Sequence, residues 1–140
     1  WAPPIKAAGR IQASAATFKS VYILSVDIPD VAIDALTNPR WDGEAMPITG
    51  PEALSYSQML DKIGASIGKQ IVFETISDDA AMQRQLAHGE DPAMAEAHVS
   101  IWRAIREGRL DEVADGVERV LGRTPIDFDR WVAENAAAFR

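Results

Sequence analysis

The chain has 140 residues, no cysteine, and a net charge of −7 with a sequence pI near 4.7. This acidic balance argues against a nucleic-acid groove or an anionic membrane as the main partner, because both attract positively charged protein surfaces. The lack of cysteine excludes disulfides and thiolate metal sites and fits a cytoplasmic location, and no apolar run approaches the ~20 residues of a membrane-spanning helix.

The first part of the chain predicts a mixture of helix and strand. Pro3 and Pro4 precede a short basic piece that can be helical up to Ile11, and the small polar residues 12–19 predict a loop. The β-rich run 21–26 predicts a buried strand. A helix is then expected from Pro29 and Asp30, whose carboxylate can accept hydrogen bonds from free backbone N–H groups, until Asn38-Pro39 ends it.

Residues 46–69 predict the unit around which the other segments pack. Residues 46–49 read as a short strand, and Ser55 and Gln58 have the spacing of a capping box at the start of a helix that ends at Gly68. Apolar side chains at steps of three and four predict one buried face, made of Tyr56, Met59, Leu60, Ile63 and Ile67. Residues 71–77 predict the third and last strand.

Beyond residue 77 the pattern is helical. One helix is expected from Ser77 or Asp78 to about Ala87, and a second from Asp91-Pro92 to about Glu107. Periodicity places five side chains on one face of the second helix, namely Met94, His98, Ile101, Trp102 and Ile105.

Two further helices are predicted near the end of the chain. The first spans 110–121 and ends at Gly122, and its apolar face contains Leu110, Val113, Val117, Val120 and Leu121. Asp127 caps the second, whose face contains Phe128, Trp131, Val132, Asn135 and Phe139. Because buried aromatics dominate core energetics, residues 121–139 are interpreted as a structural clasp.

The residues alone indicate little chemistry. No glycine-rich phosphate loop, Gly-x-Ser-x-Gly elbow or Tyr-x-x-x-Lys pair is present, and His88 and His98 lack the context of a metal site. Tyr56 is interpreted as a core or rim residue rather than an acid. His98 has two interpretations: a packed histidine with one satisfied nitrogen, or the polar group of a substrate-binding pocket lined by Met94, Ile101 and Trp102.

Four stretches together resemble the C-terminal part of the NmrA-like group of atypical short-chain dehydrogenases. They are residues 1–11, the Val26-Asp-Ile-Pro-Asp-Val-Ala motif, Pro47-Ile-Thr-Gly-Pro-Glu-Ala-Leu-Ser, and Leu121-Gly-Arg-Thr-Pro-Ile-Asp-Phe with Trp131 and Phe139. Their order and spacing match over nearly the whole chain.

The resemblance implies an α/β fold: the C-terminal portion of a doubly wound Rossmann-type fold, followed by a small, mainly helical substrate-binding lobe. Within one domain, residues 1–77 would finish the Rossmann-type fold and residues 78–140 would form the lobe and the clasp. The resemblance also implies NAD(P)(H)-linked reduction of a quinone, a carbonyl compound or a similar small molecule. The glycine-rich dinucleotide motif of the family lies in an N-terminal half that this sequence does not contain, so we do not expect NAD(P)H to bind this chain alone.

Other functions stay open from the sequence. The chain is interpreted either as the substrate-binding part of an NAD(P)H-dependent oxidoreductase, or as a truncated relative without redox activity that binds a small molecule or a partner. A redox-sensing regulator of the NmrA type is a third possibility. Because three short strands would leave unpaired edges, a homo-oligomer or a partner chain is also expected.

Overall fold

A computed structural model describes residues 1–14 and 18–140 of the chain. The order of its elements is α1 (Ala2–Ala8), β1 (Arg10–Ala13), β2 (Lys19–Val21), α2 (Asp27–Thr37), β3 (Ala53–Ser55), α3 (Tyr56–Ile67), β4 (Val72–Thr75), α4 (Asp78–Ala87), α5 (Pro92–Arg106), α6 (Gly116–Leu121) and α7 (Phe128–Asn135). Short 3₁₀ helices span Pro39–Trp41 and Ala136–Phe139.

The strands form two separate two-stranded sheets. β1 and β4 are parallel, with Ile11 opposite Phe73, whereas β2 and β3 are antiparallel, with Ser20 opposite Leu54. The connection from β1 to β4 contains α2 and α3. This agrees with the long crossover that a pair of parallel strands requires. The architecture is therefore mixed α/β, as the resemblance implied.

The larger apolar core lies around α3. Leu60 and Ile63 are almost completely buried at 1% and 0% exposure, and they share a cluster with Ile11 from β1 and with Phe128 and Val132 from α7. A smaller cluster joins α2 to α6 and contains Val31, Val117 and Val120. The predicted apolar faces of α3 and α7 are thus confirmed as core-forming.

The α3 helix begins and ends as the sequence predicts. The Ser55 side chain accepts a hydrogen bond from the Gln58 backbone N–H, and the Gln58 side chain accepts one from the Ser55 backbone N–H, so the capping box is complete. Gly68 ends the helix with a left-handed φ of 67°, a conformation that glycine adopts without the strain of a Cβ. The Asp127 cap of α7 is also confirmed, because its side chain accepts from the Arg130 N–H.

The strand predictions are correct only in part. The predicted strand 71–77 is confirmed as β4, but residues 46–49 are not a strand, and the predicted strand 21–26 is replaced by Lys19–Val21. A β-strand needs a ladder partner, and β3 contains three residues, so the pairing of β2 ends at Val21. The predicted loop 12–19 is wrong at both ends, because residues 12 and 13 belong to β1 and residue 19 begins β2. Residues 15–17 of the predicted loop lie outside the described residues.

The helix boundaries also differ from the predictions. α2 begins two residues early, at Asp27, and Asp30 pairs with an arginine side chain instead of capping the helix. The predicted helix 110–121 is helical only from Gly116 onward. The Leu110 carbonyl accepts from the Val21 N–H at 2.8 Å, and the Ala114 N–H donates to the Thr49 hydroxyl at 2.9 Å. These long-range bonds replace the intrahelical ones, so Leu110 and Val113 remain exposed.

The buried face of α5 agrees with the predicted face at Ile105, but in the first half of the helix it is offset by one residue. Ala95 and Val99 are buried together with Ile105, whereas Met94 and Ile101 are 52% and 48% exposed. Ala95 is fully buried, and so is Ala81 on the neighbouring helix α4. Small side chains allow two helices to approach closely, so the contact selects alanine over the bulkier residues that the prediction favoured.

Candidate functional site

A cavity of about 510 Å³ opens where five elements meet. This volume lies within the range that small-molecule sites usually have. The lining residues come from α1, β1, the start of α3, the end of α4 and the second half of α5, and they are Trp1, Pro4, Arg10, Ile11, Gln12, Ala13, Tyr56, Arg84, His88 and Trp102.

Aromatic rings form a large part of the cavity wall. Trp1 meets Tyr56 edge to face, with ring centroids 5.1 Å apart and an interplanar angle of 90°. The Ser55 capping box fixes the first turn of α3 and so fixes the position of Tyr56. Trp102 contributes a further ring from α5. Large, rigid aromatic side chains of this kind provide flat apolar contact to a bound molecule.

Three polar side chains of the wall, those of Arg10, Gln12 and Arg84, belong to one hydrogen-bonded chain. Arg84 donates from Nη2 to the Gln12 carbonyl oxygen at 2.9 Å and from Nη1 to Gln12 Oε1 at 3.3 Å. Gln12 Nε2 in turn donates to Glu74 Oε2 at 2.6 Å, and Arg10 Nη1 donates to Glu74 Oε1 at 2.8 Å. The Glu74 carboxylate therefore compensates the charge of Arg10, and Arg84 is held against β1 by neutral groups.

Below the cavity, an ion pair connects α4 to α5. Arg106 Nη2 donates to Asp78 Oδ2 at 2.5 Å, and Arg106 Nη1 donates to the Ser14 carbonyl and hydroxyl oxygens at 3.2 Å. The hydrogen bond from Arg106 holds the pKa of the Asp78 carboxyl below its usual value, against the opposing effect of burial. This ion pair fixes the two cavity-lining helices to the end of β1.

Tyr56 has a second tyrosine behind it. The Tyr22 ring lies 6.2 Å from the Tyr56 ring, and the two hydroxyls are hydrogen-bonded. Burial, together with the neighbouring Tyr56, raises the pKa of Tyr22 well above its usual value, so the Tyr22 hydroxyl stays protonated. A protonated Tyr22 can donate to Tyr56, which leaves the Tyr56 hydrogen available to a molecule in the cavity.

The four predicted substrate-binding residues are not all brought to this cavity. Trp102 lines it, and His98 stacks on Trp102 with centroids 6.5 Å apart and an interplanar angle of 29°. His98 Nδ1 lies 3.2 Å from Glu90 Oε1 and 3.3 Å from Gln85 Oε1, so a protein group already binds this nitrogen. Met94 and Ile101 do not line the cavity. As a substrate site, this set of four residues stays a prediction.

Sequence reasoning missed most of the cavity wall. Arg10 and Gln12 lie on β1, which the sequence did not predict as a strand. Arg84 lies on a helix that was predicted, but no spacing signal links it to Gln12, which is 72 residues away. The alternation of Arg10 and Gln12 with the buried residues Ile11 and Ala13 is a period-two pattern that would have indicated the strand.

A buried carboxylate outside the cavity was also missed. Asp27 is completely buried, and it accepts from Arg123 Nη1 at 2.7 Å and from the Ile126 N–H at 2.9 Å. Arg123 Nη2 donates to Asp30 at 2.8 Å, and the bonds to these two carboxylates raise the pKa of the Arg123 guanidinium. The Val26-Asp-Ile-Pro-Asp motif therefore ties the start of α2 to the turn before α7.

Neither a metal site nor a pyrophosphate cradle is found in the described residues. Residues 1–14 and 18–140 hold no group of three or more histidine or acidic side chains placed to bind a metal ion. A pyrophosphate is bound by backbone N–H groups at a glycine-rich helix start, but Gly9, Gly68 and Gly122 follow the ends of α1, α3 and α6. Gly116 does start α6, yet the Pro47 carbonyl oxygen fills the place of its Cβ. These residues do not fit a dinucleotide pyrophosphate.

Two curated relatives align with almost the entire chain. One is (4-alkanoyl-5-oxo-2,5-dihydrofuran-3-yl)methyl phosphate reductase of Streptomyces griseus, with 31% identity over 139 residues. The other is NAD(P)H azoreductase of Xenophilus azovorans, with 30% identity over 139 residues. Each alignment covers 99% of this chain and 49% of the relative, so the chain spans about half the length of these relatives. No protein-family model matches the chain.

A solved structure shares the fold. The NADPH-dependent quinone oxidoreductase of Escherichia coli superposes with a TM-score of 0.84 over 95% of this chain and 48% of that protein, at 16% identity. The architecture is thus that of one part of a Rossmann-like fold. The two curated relatives are reductases, and they confirm the resemblance of this chain to the C-terminal part of the NmrA-like, NAD(P)-dependent reductases. Among the described residues, no helix combines the length and apolar character that a membrane crossing requires.

Proposed function

We propose that this chain is the substrate-binding part of an NAD(P)H-dependent reductase of the NmrA-like type, and that it binds a small planar molecule of the quinone or carbonyl class. The observation that carries the proposal is the cavity between α1, β1, α3, α4 and α5, with Trp1, Tyr56 and Trp102 on its wall. Its volume of about 510 Å³ accommodates a ring system of two or three fused rings.

The relatives support the reductase part of this proposal. They are named as reductases of a furan-derived phosphate ester and of azo compounds, and the structure of similar fold is a quinone oxidoreductase. A quinone or carbonyl oxygen in the cavity can accept a hydrogen bond from the Tyr56 hydroxyl, because the protonated Tyr22 can donate to the Tyr56 oxygen. In this proposal residues 78–140 form the substrate lobe, and residues 1–77 complete the Rossmann-type fold.

The alternative is a small-molecule-binding protein without redox activity. It is favoured by one observation, namely that the described glycines provide no pyrophosphate cradle. Both functions require the cavity to bind a planar compound, so a direct binding measurement tests what they share.

Isothermal titration of the chain with 2-(hydroxymethyl)anthraquinone, a neutral planar quinone, provides this test. We expect saturable binding with one molecule per chain. The Trp102→Ala variant should bind about tenfold more weakly, because stacking on an aromatic ring contributes ~1–3 kcal/mol. The matched control is Trp41→Ala, which removes a tryptophan outside the cavity, where its Nε1 donates to Asp34. Failure to bind, or equal weakening in both variants, would contradict the proposal.

We also propose that the chain associates with a second copy of itself. Ile33 and Leu36 on α2 are 62% and 86% exposed, and each sheet formed by the described residues has only two strands, so both of its strands are edge strands. Proteins normally cover such apolar surfaces and edges. Size-exclusion chromatography with light scattering should therefore give a mass above the 15.2 kDa of one chain. A monomer at all micromolar concentrations would contradict this, and a defined complex with another polypeptide would point to a partner chain instead.

A further inference from the structure

The cavity wall carries positive charge in a chain that is acidic overall. Its lining includes Arg10 and Arg84, and no aspartate or glutamate is among the described residues that line it, although the whole chain has a net charge of −7. A local charge opposite in sign to that of the whole protein is a feature that attracts a ligand of matching charge.

Arg84 is the cation whose charge is not compensated. Arg10 is paired with Glu74 at 2.8 Å. Within the described part of the chain, Arg84 has no carboxylate within ion-pair distance, and its two bonds go to the Gln12 carbonyl and side-chain oxygens. These bonds hold the guanidinium in place at the cavity wall and leave other N–H donors unused. Fixed guanidinium donors of this kind bind planar or tetrahedral oxyanions well.

From this geometry, and resting on the proposed function, we infer that the substrate is a planar aromatic compound that carries an oxyanion, with the ring between the tryptophans and the anion on Arg84. Carboxylate, sulfonate and phosphate ester groups all meet this description, since all present oxygen acceptors to the guanidinium. Trp1 and Trp102 select the ring, and Arg84 selects the charge.

A matched pair of quinones tests this inference. Anthraquinone-2-sulfonate and the neutral 2-(hydroxymethyl)anthraquinone share one ring system and differ in charge. We expect the wild-type chain to bind the sulfonate at least about tenfold more tightly, which corresponds to about 1.4 kcal/mol. Raising the salt concentration from 50 to about 300 mM should reduce this ratio, because salt screens exposed charges.

Variants locate the selectivity. Arg84→Gln should bring the affinity ratio of sulfonate to neutral quinone close to one, and Arg84→Lys, which keeps the charge, should retain part of the ratio. Arg130→Gln is the matched control, because Arg130 lies on α7 and pairs with Glu134 on the surface, so it should leave the ratio unchanged. If Arg84→Gln does not fold, as judged by circular dichroism, the wild-type ratio and Arg84→Lys still decide the question.

The failures of the inference and of the proposed function can be distinguished. Equal binding of the two quinones by the wild-type chain would overturn the anionic substrate and leave the cavity as a substrate site. Binding of neither compound would overturn both. Displacement of the sulfonate by micromolar NADPH would assign Arg84 to a cofactor phosphate, and this too would overturn the inference.

Discussion

The buried ion pair between Asp27 and Arg123 offers the sharpest stability prediction. Asp27 is fully buried in the intact chain, and in the Arg123→Ala variant its carboxylate loses Arg123 Nη1 and keeps the Ile126 N–H as its partner among the described residues. Removing one member of a buried ion pair costs ~3–5 kcal/mol. Because the Arg123 side chain is 39% exposed, water screens part of the interaction, and we expect a loss of about 2–4 kcal/mol at neutral pH.

Urea unfolding followed by circular dichroism measures this loss, with an unchanged m-value showing that the unfolding reaction is the same. Arg130→Ala, which breaks an exposed pair with Glu134, should change the free energy of unfolding by less than about 0.5 kcal/mol. Adding Asp27→Asn to Arg123→Ala should restore part of the loss, because a neutral amide is less costly to bury than an unpaired carboxylate. A loss below about 1 kcal/mol for Arg123→Ala would refute the reasoning.

Three further predictions concern the pH dependence, the C-terminal clasp and the cofactor. Since Arg106 depresses the folded-state pKa of Asp78, the ion pair stabilises the chain above the unfolded pKa of ~3.9 and this contribution disappears as the pH falls through the folded-state value. The difference in unfolding free energy between wild type and Arg106→Ala should therefore be larger at pH 7 than at pH 3. An equal difference at the two pH values would contradict the stabilising role of the ion pair. Trp131→Ala should lower the free energy of unfolding by ~3 kcal/mol, because the centroid of the Trp131 ring lies 5.3 Å from that of Phe128 and 6.0 Å from that of Phe139. A melting temperature within a degree of wild type would argue against the structural clasp. Titration followed by NADPH fluorescence should show no saturable micromolar binding to this chain alone. Gly9, Gly68 and Gly122 follow helix ends, and the Pro47 carbonyl oxygen occupies the place of a Cβ at Gly116, so none of the four forms a pyrophosphate cradle. Saturation would reveal a cofactor site elsewhere.

Features specified by neighbouring residues were predictable from the sequence. The Ser55–Gln58 capping box, the Gly68 stop and the Asp127 cap each depend on residues within a few positions of one another, and all three are confirmed. The apolar face of α3 follows in the same way from its periodicity, because that helix packs on large side chains.

Features that depend on distant partners were not predictable. Residues 46–49 have strand-like composition but no ladder partner in the described chain, and residues 110–115 form bonds to Val21 and Thr49 in place of a helix. Ala95 is fully buried on α5, which packs against α4, and a scale of hydrophobicity ranks alanine below the larger residues Met94 and Ile101, which are exposed.

The candidate site shows the same division. Trp102 was named from its helical spacing, and Tyr56 was interpreted as a core or rim residue, which agrees with its position on the cavity wall. Arg84 reaches the cavity through two bonds to Gln12 on an unpredicted strand, and Asp27 finds Arg123 across 96 residues. No local pattern contains such pairings, because they exist only after the helices have packed.

The central claim is that planar compounds bind in the cavity lined by Trp1 and Trp102. The chain has four tryptophans, and the other two, Trp41 and Trp131, lie outside this cavity. Their indole N–H signals can be followed by ¹H–¹⁵N NMR while 2-(hydroxymethyl)anthraquinone is added. The claim predicts saturable shifts of the Trp1 and Trp102 signals and none for Trp41 and Trp131. Shifts confined to Trp41 or Trp131, or no shift of any indole signal at millimolar ligand, would contradict it.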